Sequence, residues 1–449
     1  MLNGQLLQLL TSRAASGRPL RVGLIGAGKF GTMFLSQARR IPGLHLLGLA
    51  DLSFERARAA LERAEWPAEQ GQARNFAEAL KTGATHLTQD SLALIRAEGL
   101  EVVVEATGVP AAGIQHALQA MENGRHIVMV NVEADVLAGP LLAQRAQAAG
   151  VVYSMAYGDQ PALICELVEW ARASGFEVVC AGKGTKYLPV YHTSTPATVW
   201  DYYGFSQEQV AQGGFNPQMF NSFLDGTKSA IEMAAVANAT GLTPPPNGLQ
   251  FPPCGVDDLP HICRPQSDGG QLAYKGTVEV VSSLERDGRP VYRDLRWGVY
   301  VTFEAPSHYV QQCFAEYGLL TDQSGRYTAL YRPYHLIGLE LSVSVLRAGL
   351  RGEATGSPLM FKGDVVAVAK CDLKAGETLD GEGGYCVYGK LLPAAALQLG
   401  GLPIGLAHGV KLKHNVAAGQ PVCWQDVVLD ENDPTVRFRR EMEQTFGSV

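Results

Sequence analysis

The segment Arg21-Val-Gly-Leu-Ile-Gly-Ala-Gly-Lys-Phe-Gly31 constrains this chain more than any other. A short apolar run from Val22 to Ile25 reads as a buried parallel strand. Gly26, Gly28 and Gly31 follow in G-x-G-x-x-G spacing, and Thr32-Met-Phe-Leu-Ser-Gln-Ala38 continues as a helix. The first glycine permits a tight turn, the second lets a pyrophosphate approach the main chain, and the third lets helix pack closely on strand. The helix start offers free N–H groups and a partial positive charge. Roughly twenty residues past the last glycine, Leu44-His-Leu-Leu-Gly-Leu-Ala-Asp51 reads as a second strand ending in an acid, placed for ribose hydroxyls. A glycine turn alone carries little weight. Strand, turn, helix, strand and acid together point to a dinucleotide site built from Gly26, Gly28, Lys29, Phe30, Gly31 and Asp51.

Which dinucleotide is an open choice at this level. Asp51 favours NAD by repelling a 2′-phosphate, whereas Ser53, Arg56 and Arg58 follow at once and could bind one. The same residues also suit a solvated helix start, with Ser53 as N-cap and Glu55 in the first turn.

Strands and helices alternate as far as Tyr157. Val102-Val-Val-Glu-Ala-Thr-Gly-Val-Pro110 is a strand running into a small-residue turn, which brings Thr107 and Gly108 to the carboxyl edge beside the nicotinamide half; Glu105 faces either a site or a partner. His126 to Asn131 is a strand, Leu141 to Ala149 a helix, and Val151 to Tyr157 a strand. The expected fold class is α/β: a doubly wound parallel sheet over 1–156, with helices on both faces.

An α+β substrate and oligomerisation domain is expected over 157–355, its last helix able to return to the first domain. Within it, Phe220 to Thr240 reads as one helix, Leu272–Leu284 and Val291–Phe303 as strands around an Asp287-Gly-Arg-Pro turn, and Tyr334 to Ala348 as a helix. A small β-rich module follows over 356–430, then a charged, helical or frayed tail over 431–449.

At 449 residues the chain has length for about three domains. Its net charge of −7, without clustered Lys and Arg, argues against nucleic acid. No apolar run approaches a membrane span, and the first residues read as an amphipathic helix without a basic leader, so a cytoplasmic protein is expected. Eight cysteines lack any C-x-x-C spacing; Cys254, His261 and Cys263 share a Pro-rich loop in no zinc pattern, and buried thiols are the expectation.

The chain resembles the homoserine dehydrogenase-like oxidoreductases. The likeness rests on the glycine fingerprint, Glu105-Ala-Thr-Gly108, the strand ending in Asn131, Tyr153 to Pro161, and Gly184-Thr185. Ala369-Lys-Cys-Asp-Leu-Lys-Ala-Gly-Glu-Thr-Leu-Asp380 resembles the SAF domain, a small β-clip module. Together they are similar to the deoxyxylulose-phosphate reductoisomerase-like subgroup, most clearly over Gly26–Phe34 and Phe220–Ile231. Homoserine dehydrogenases carry a lysine straight after the strand-closing asparagine, where this chain has Val132 and Glu133. They also place an Asp four residues before a catalytic Lys, where Asp225 and Lys228 are three apart. Homoserine is therefore not the expected substrate.

The resemblance tips the cofactor expectation to NADP(H) over NAD(H). It implies NADPH-dependent rearrangement and reduction of 1-deoxyxylulose 5-phosphate to methylerythritol 4-phosphate on the isoprenoid precursor route, with Mg or Mn as Lewis acid. It also implies a homo-oligomer, in keeping with a β-rich second domain whose sheet would otherwise expose a face. The rival enzyme is an NAD-dependent dehydrogenase or oxidoisomerase of a polyhydroxy acid, and a non-catalytic dinucleotide sensor is the alternative of another class.

Hydride transfer at a carbonyl carbon needs a proton donor at its oxygen, and a lysine of lowered pKa suits that task. Lys183, Lys186 and Lys228 are the candidates, with Asp225 beside Lys228 on one expected helix face; an exposed ion pair is the plain alternative. Glu133 and Asp159 lie at edges facing the cleft, to bind substrate hydroxyls or, with Asp225, a divalent metal; capping is the plain alternative. His192 lies in a polar loop, and Arg332 is placed to reach an anionic group on a small, polar, possibly phosphorylated hydroxy-carbonyl substrate.

Overall fold

The computed structural model describes residues 5–71, 73–213 and 215–447. Ten strands, in two sheets, carry the larger part of the architecture: β1 (Leu20–Ile25), β2 (Leu44–Ala50), β3 (His86–Thr88), β4 (Val102–Glu105), β5 (His126–Met129), β6 (Tyr153–Met155), β7 (Glu177–Thr185), β8 (Thr277–Ser282), β9 (Val299–Glu304) and β10 (Tyr327–Arg332). The first six form a parallel sheet in the order β3-β2-β1-β4-β5-β6. β1 and β4 are buried almost throughout, as strands covered by helices on both faces must be. Leu20, Val22, Leu24, Phe34, Leu35, Leu49, Val102 and Val128 share one core, which Leu10 joins from a first helix at Leu6–Ala15. Residues 1–4, the start of that expected helix, lie outside the described residues.

The chain divides into two compact units. The first runs to Leu163 and takes back His335–Leu359; the second holds Ile164–Tyr334 and Met360 onward. The units do not break at 157 and 356. One helix, Gln160–Ala173, runs through the first of these divisions, and the returning segment belongs with the parallel sheet. Its helix is Ser342–Arg351, not Tyr334–Ala348: β10 runs on to Arg332, and a turn with Gly338 at φ +75° precedes the helix. Gly349 of that helix packs where a Cβ would lie 2.5 Å from Leu20. Ser344 Oγ accepts from Tyr157 N at 2.7 Å.

Two further differences from the sequence reading fall in this unit. The helix after β5 is Val132–Ala148, capped by Asn131, and it continues through Gly139 and Pro140 where sequence suggests a later start. Glu133 therefore sits in a helical first turn, not at a strand end.

In the second unit the sheet order is β10-β9-β7-β8, with β7 and β8 parallel and the other pairs antiparallel. The expected hairpin between β8 and β9 is absent from this sheet because β7 lies between them; the turn near Asp287 closes only on a Leu284–Pro290 bridge. Neither face of its inner strands is bare. The Thr227–Thr240 helix packs on one side, and Cys254, Val256, Leu259, Cys263 and Leu272 of the intervening loop pack with Val179, Cys180, Val281 and Tyr300. On the edge strand β10, Leu330 is exposed.

Five more strands complete the unit: β11 (Gly363–Ala369) pairs with β13 (Val387–Pro393), and β12 (Thr378–Asp380), β14 (His408–Leu412) and β15 (Val427–Val428) form a second small antiparallel sheet. The tail is docked rather than frayed through the described residues. Helix Pro434–Phe446 buries Phe438, Met442 and Arg439, whose guanidinium lies 2.6 Å from the buried Asp364 carboxylate.

Candidate functional site

In the first unit the glycine turn is built by missing side chains. Gly26 has φ +102°, and a Cβ there would lie 2.5 Å from the Ala106 carbonyl oxygen at the end of β4. A Cβ on Gly31 would lie 2.2 Å from the Gly26 carbonyl oxygen, so this residue sets the approach of helix to turn. Gly28 is different. A Cβ there meets open space, and no side chain caps the Lys29–Ala38 helix that it begins. Ser53, Asn75, Asp90 and Asn131 each cap a neighbouring helix of the unit. An uncapped helix start behind an unobstructed glycine suits an anionic group. Phe30 packs on the core, and Lys29 is exposed.

Asp51 closes this cradle. Its carboxylate accepts from Ala27 N at 2.8 Å and Ser53 N at 2.9 Å, and pairs with Arg56 at 3.0 Å. The Ser53 hydroxyl accepts from Arg56 N at 3.2 Å, so the capping role is filled. Arg56 is 58% exposed at its side chain, with the charge set at the acid that would repel a 2′-phosphate.

At the end of β4, Glu105 is fully buried and accepts from the Thr107 hydroxyl at 2.6 Å; His116 Nδ1 lies 3.2 Å away. Glu105 therefore holds its own turn and a helix. Asn131 Nδ2 donates to Val109 O at 2.9 Å while its Oδ1 caps the next helix. Gly108, at φ +69°, leaves open space for a ligand. Thr107 and Asn131 shape the loop, and Gly108 leaves the room. Asp135, on the helix capped by Asn131, is buried beside the Tyr153 hydroxyl at 2.9 Å, and burial pushes its carboxyl up to about 7. Asp159 is buried at the start of its helix, accepting from Gln160 N at 2.9 Å.

The ionisable groups of the second unit are held differently. β7 turns Lys183 toward the Thr227–Thr240 helix, where it pairs with Glu232, both side chains almost wholly buried. Lys228 stands one turn before Glu232 on that helix, at i,i+4 spacing and half-buried. Lys186 lies just past β7; its ammonium donates to the Tyr202 carbonyl and sits 5.5 Å from the Tyr203 ring centre. Burial, and then the charge of Arg296, hold its pKa below the usual lysine value.

Asp225 and Lys228 do not share a helix. Helix Pro217–Leu224 ends with Asp225 as its C-cap, Gly226 turns the chain at φ +89°, and a new helix starts at Thr227. The left-handed conformation that breaks the helix is one that glycine adopts without strain. Asp225 Oδ1 instead accepts from Thr227 N at 2.9 Å, and Oδ2 pairs with Lys370 at 2.7 Å. An ammonium thus stands where a metal would have to bind this carboxylate. Among the described residues no group of three or more His, Cys, Asp or Glu is arranged to hold a metal ion.

His192 lies in a short turn, Pro189–Thr193. Its Nδ1 donates to the Asp225 carbonyl at 2.7 Å and its Nε2 accepts from the Tyr187 hydroxyl at 3.0 Å. Burial lowers its pKa, consistent with a neutral ring. Burial pushes the Tyr187 phenol up to about 12. Arg332 ends β10 on the Tyr334 ring, 5.9 Å from its centre. Sequence reasoning missed Glu232, Tyr187 and Lys370. The four-residue step from Lys228 was a signal for Glu232; nothing local marks Lys370.

No curated protein matches the chain significantly. Residues 23–155 match the family model described as homoserine dehydrogenase, NAD binding domain, and residues 158–341 match that described as oxidoreductase DRL, catalytic domain. The chain thus joins an NAD(P)-binding domain to an oxidoreductase catalytic domain. Similar solved structures include a myo-inositol dehydrogenase from Lactobacillus casei, at 15% identity and TM-score 0.28, covering 40% of this chain and 50% of that one. Others are a probable dehydrogenase from Thermotoga maritima (13%, TM-score 0.36, 75% and 90%) and a DOX-P reductoisomerase in complex with magnesium (18%, TM-score 0.33, 48% and 57%). The chain spans about half the length of the first of these.

Proposed function

We propose that this protein is an NADPH-dependent reductoisomerase that converts 1-deoxy-D-xylulose 5-phosphate to 2-C-methyl-D-erythritol 4-phosphate. The observation that supports it best is the buried Lys183–Glu232 pair, with Lys228 one helical turn away, inside the span matched as an oxidoreductase catalytic domain. The resemblance to the reductoisomerase-like subgroup supplies the substrate.

In this reading a carbon–carbon bond beside the ketone breaks and re-forms, leaving an aldehyde for reduction. Bound NADPH supplies the hydride to that carbon. Lys183 or Lys228 gives a proton to the carbonyl oxygen, and Glu232 holds the ammonium in place and offsets its charge. Gly28 and the bare start of the Lys29–Ala38 helix receive the pyrophosphate, and Arg56 draws the 2′-phosphate while screening Asp51.

The test is an anaerobic assay with NADPH and 1-deoxyxylulose 5-phosphate, with and without Mg²⁺ or Mn²⁺, following absorbance loss and product mass. Methylerythritol phosphate formed by the wild type and not by Lys228→Ala is the expected result. No turnover by a protein that still binds NADPH overturns the reading and moves the search to polyhydroxy acids with NAD.

A further inference from the structure

β11 is buried along its whole length, and the residue after it, Lys370, continues inward. Its ammonium lies 2.7 Å from Asp225 Oδ2 and donates to the carbonyls of Ser194 at 2.8 Å and Gly384 at 2.7 Å. The two carbonyls take two of the ammonium's three donors and the Asp225 carboxylate balances its charge, which gives it three oxygen neighbours. They come from three places: the end of the turn carrying His192, the junction before the Thr227–Thr240 helix, and the turn after β12.

Asp225 relays that grip. Its Oδ1 holds Thr227 N at the start of the helix bearing Lys228 and Glu232, and its main-chain oxygen holds His192 Nδ1. The C-terminal β module touches the histidine again, since Tyr388 of β13 stacks on its ring at 4.6 Å and 26°. The Gly389 amide donates to the Thr227 hydroxyl at 2.8 Å.

We propose that Lys370 is a positioning residue, and that through it the C-terminal β module fixes His192 and the helix start of the site that takes the hydroxy-carbonyl substrate. The inference rests on the functional reading above. Stability alone is a poor reason for this lysine. Burying an ammonium is costly, and an apolar side chain of similar volume often serves a core equally well. What a lysine adds is a compact charge with three tetrahedral donors, which the planar fork of an arginine does not reproduce. The charged groups that act on His192 are Asp225, which favours its protonated form, and Lys370 and Lys390, which oppose it.

The test compares full-length wild type, Lys370→Met and Lys370→Met/Asp225→Asn, with ¹⁵N-histidine NMR of the His192 ring and with kcat and KM. In Lys370→Met the His192 ring should titrate about half a pH unit or more higher. Its kcat should fall at least tenfold, with NADPH affinity unchanged. The double variant removes the buried charge, so it should regain the melting temperature but not kcat. A purely structural lysine would leave the His192 titration unmoved, or let kcat recover together with melting temperature, and either result overturns the proposal. Should the wild type turn over no hydroxy-carbonyl, the functional reading fails, while the His192 titration still decides whether Lys370 positions that ring.

Discussion

At the carboxyl end of β1 the chain runs as bare backbone: Gly26 and Gly31 let main chain pack where a side chain would collide, and Gly28 leaves open space. On β7, the central strand beside β8 and β9, the chain carries Lys183 into a nearly solvent-free pair with Glu232. One region makes a binding surface by subtraction, with main-chain N–H groups and a helix start as the working parts. The other imports charges into a core and holds them with partners from distant segments. Space is cheap to specify and local. A buried charge is costly unless its partner arrives, so its position depends on the whole unit.

The largest test of this contrast breaks the pair. Lys183→Met leaves Glu232 buried without its ammonium and should cost about 3–5 kcal/mol in urea unfolding. Lys183→Met/Glu232→Leu should recover most of that stability and none of the activity. Equal losses in the single and double variants would show that the pair is not coupled.

Two other buried acids, one in each region, sharpen the comparison through pH. Glu279 accepts from the backbone N–H groups of Gln250, Phe251 and Val280, yet burial pushes it from 4.5 up to about 8; Asp135 rises from 3.8 to about 7. Each folded state holds a proton that the unfolded chain has released. Stability is therefore complete below about pH 4 and declines as pH rises through 7 for Asp135 and through 8 for Glu279, by a few kcal/mol. Urea titrations of Glu279→Gln and Asp135→Asn should each lose their part of that slope; an unaltered slope in either removes that acid from the account.

Adding one carbon to the glycine turn comes next. Gly31→Ala sets a Cβ 2.2 Å from the Gly26 carbonyl oxygen and should cost about 1–3 kcal/mol, with NADPH affinity down more than tenfold by fluorescence titration. Gly28→Ala meets open space in the protein, so it should weaken NADPH binding while leaving the unfolding midpoint in place. If both variants bind normally, the turn is not the pyrophosphate cradle.

The smallest effect is at Arg56. Its half-exposed pair with Asp51 contributes under about 1 kcal/mol to stability. Arg56→Ala should raise the Kd for NADPH roughly tenfold and leave that for NADH alone. An equal change for both dinucleotides would take the 2′-phosphate away from this arginine.

The sequence by itself determined the parallel sheet. The inner strands β1 and β4 are short apolar runs, Ser53, Asn75, Asp90 and Asn131 cap four of the helices, and the glycine spacing and Asp51 are set within one strand–turn–helix–strand unit, where local propensity and fold agree. It also singled out Lys183, Lys186, Lys228, Asp225 and His192 as groups whose placement matters. Only the tertiary structure decided their partners. Gly226 parts Asp225 from Lys228 by a single left-handed residue, β7 enters between β8 and β9 from a hundred residues upstream, and Lys370 reaches Asp225 from the end of β11. Periodicity reports which face a residue occupies on its own element. A buried ammonium is placed by the acceptors that surround it, and here those come from three separate segments of the chain.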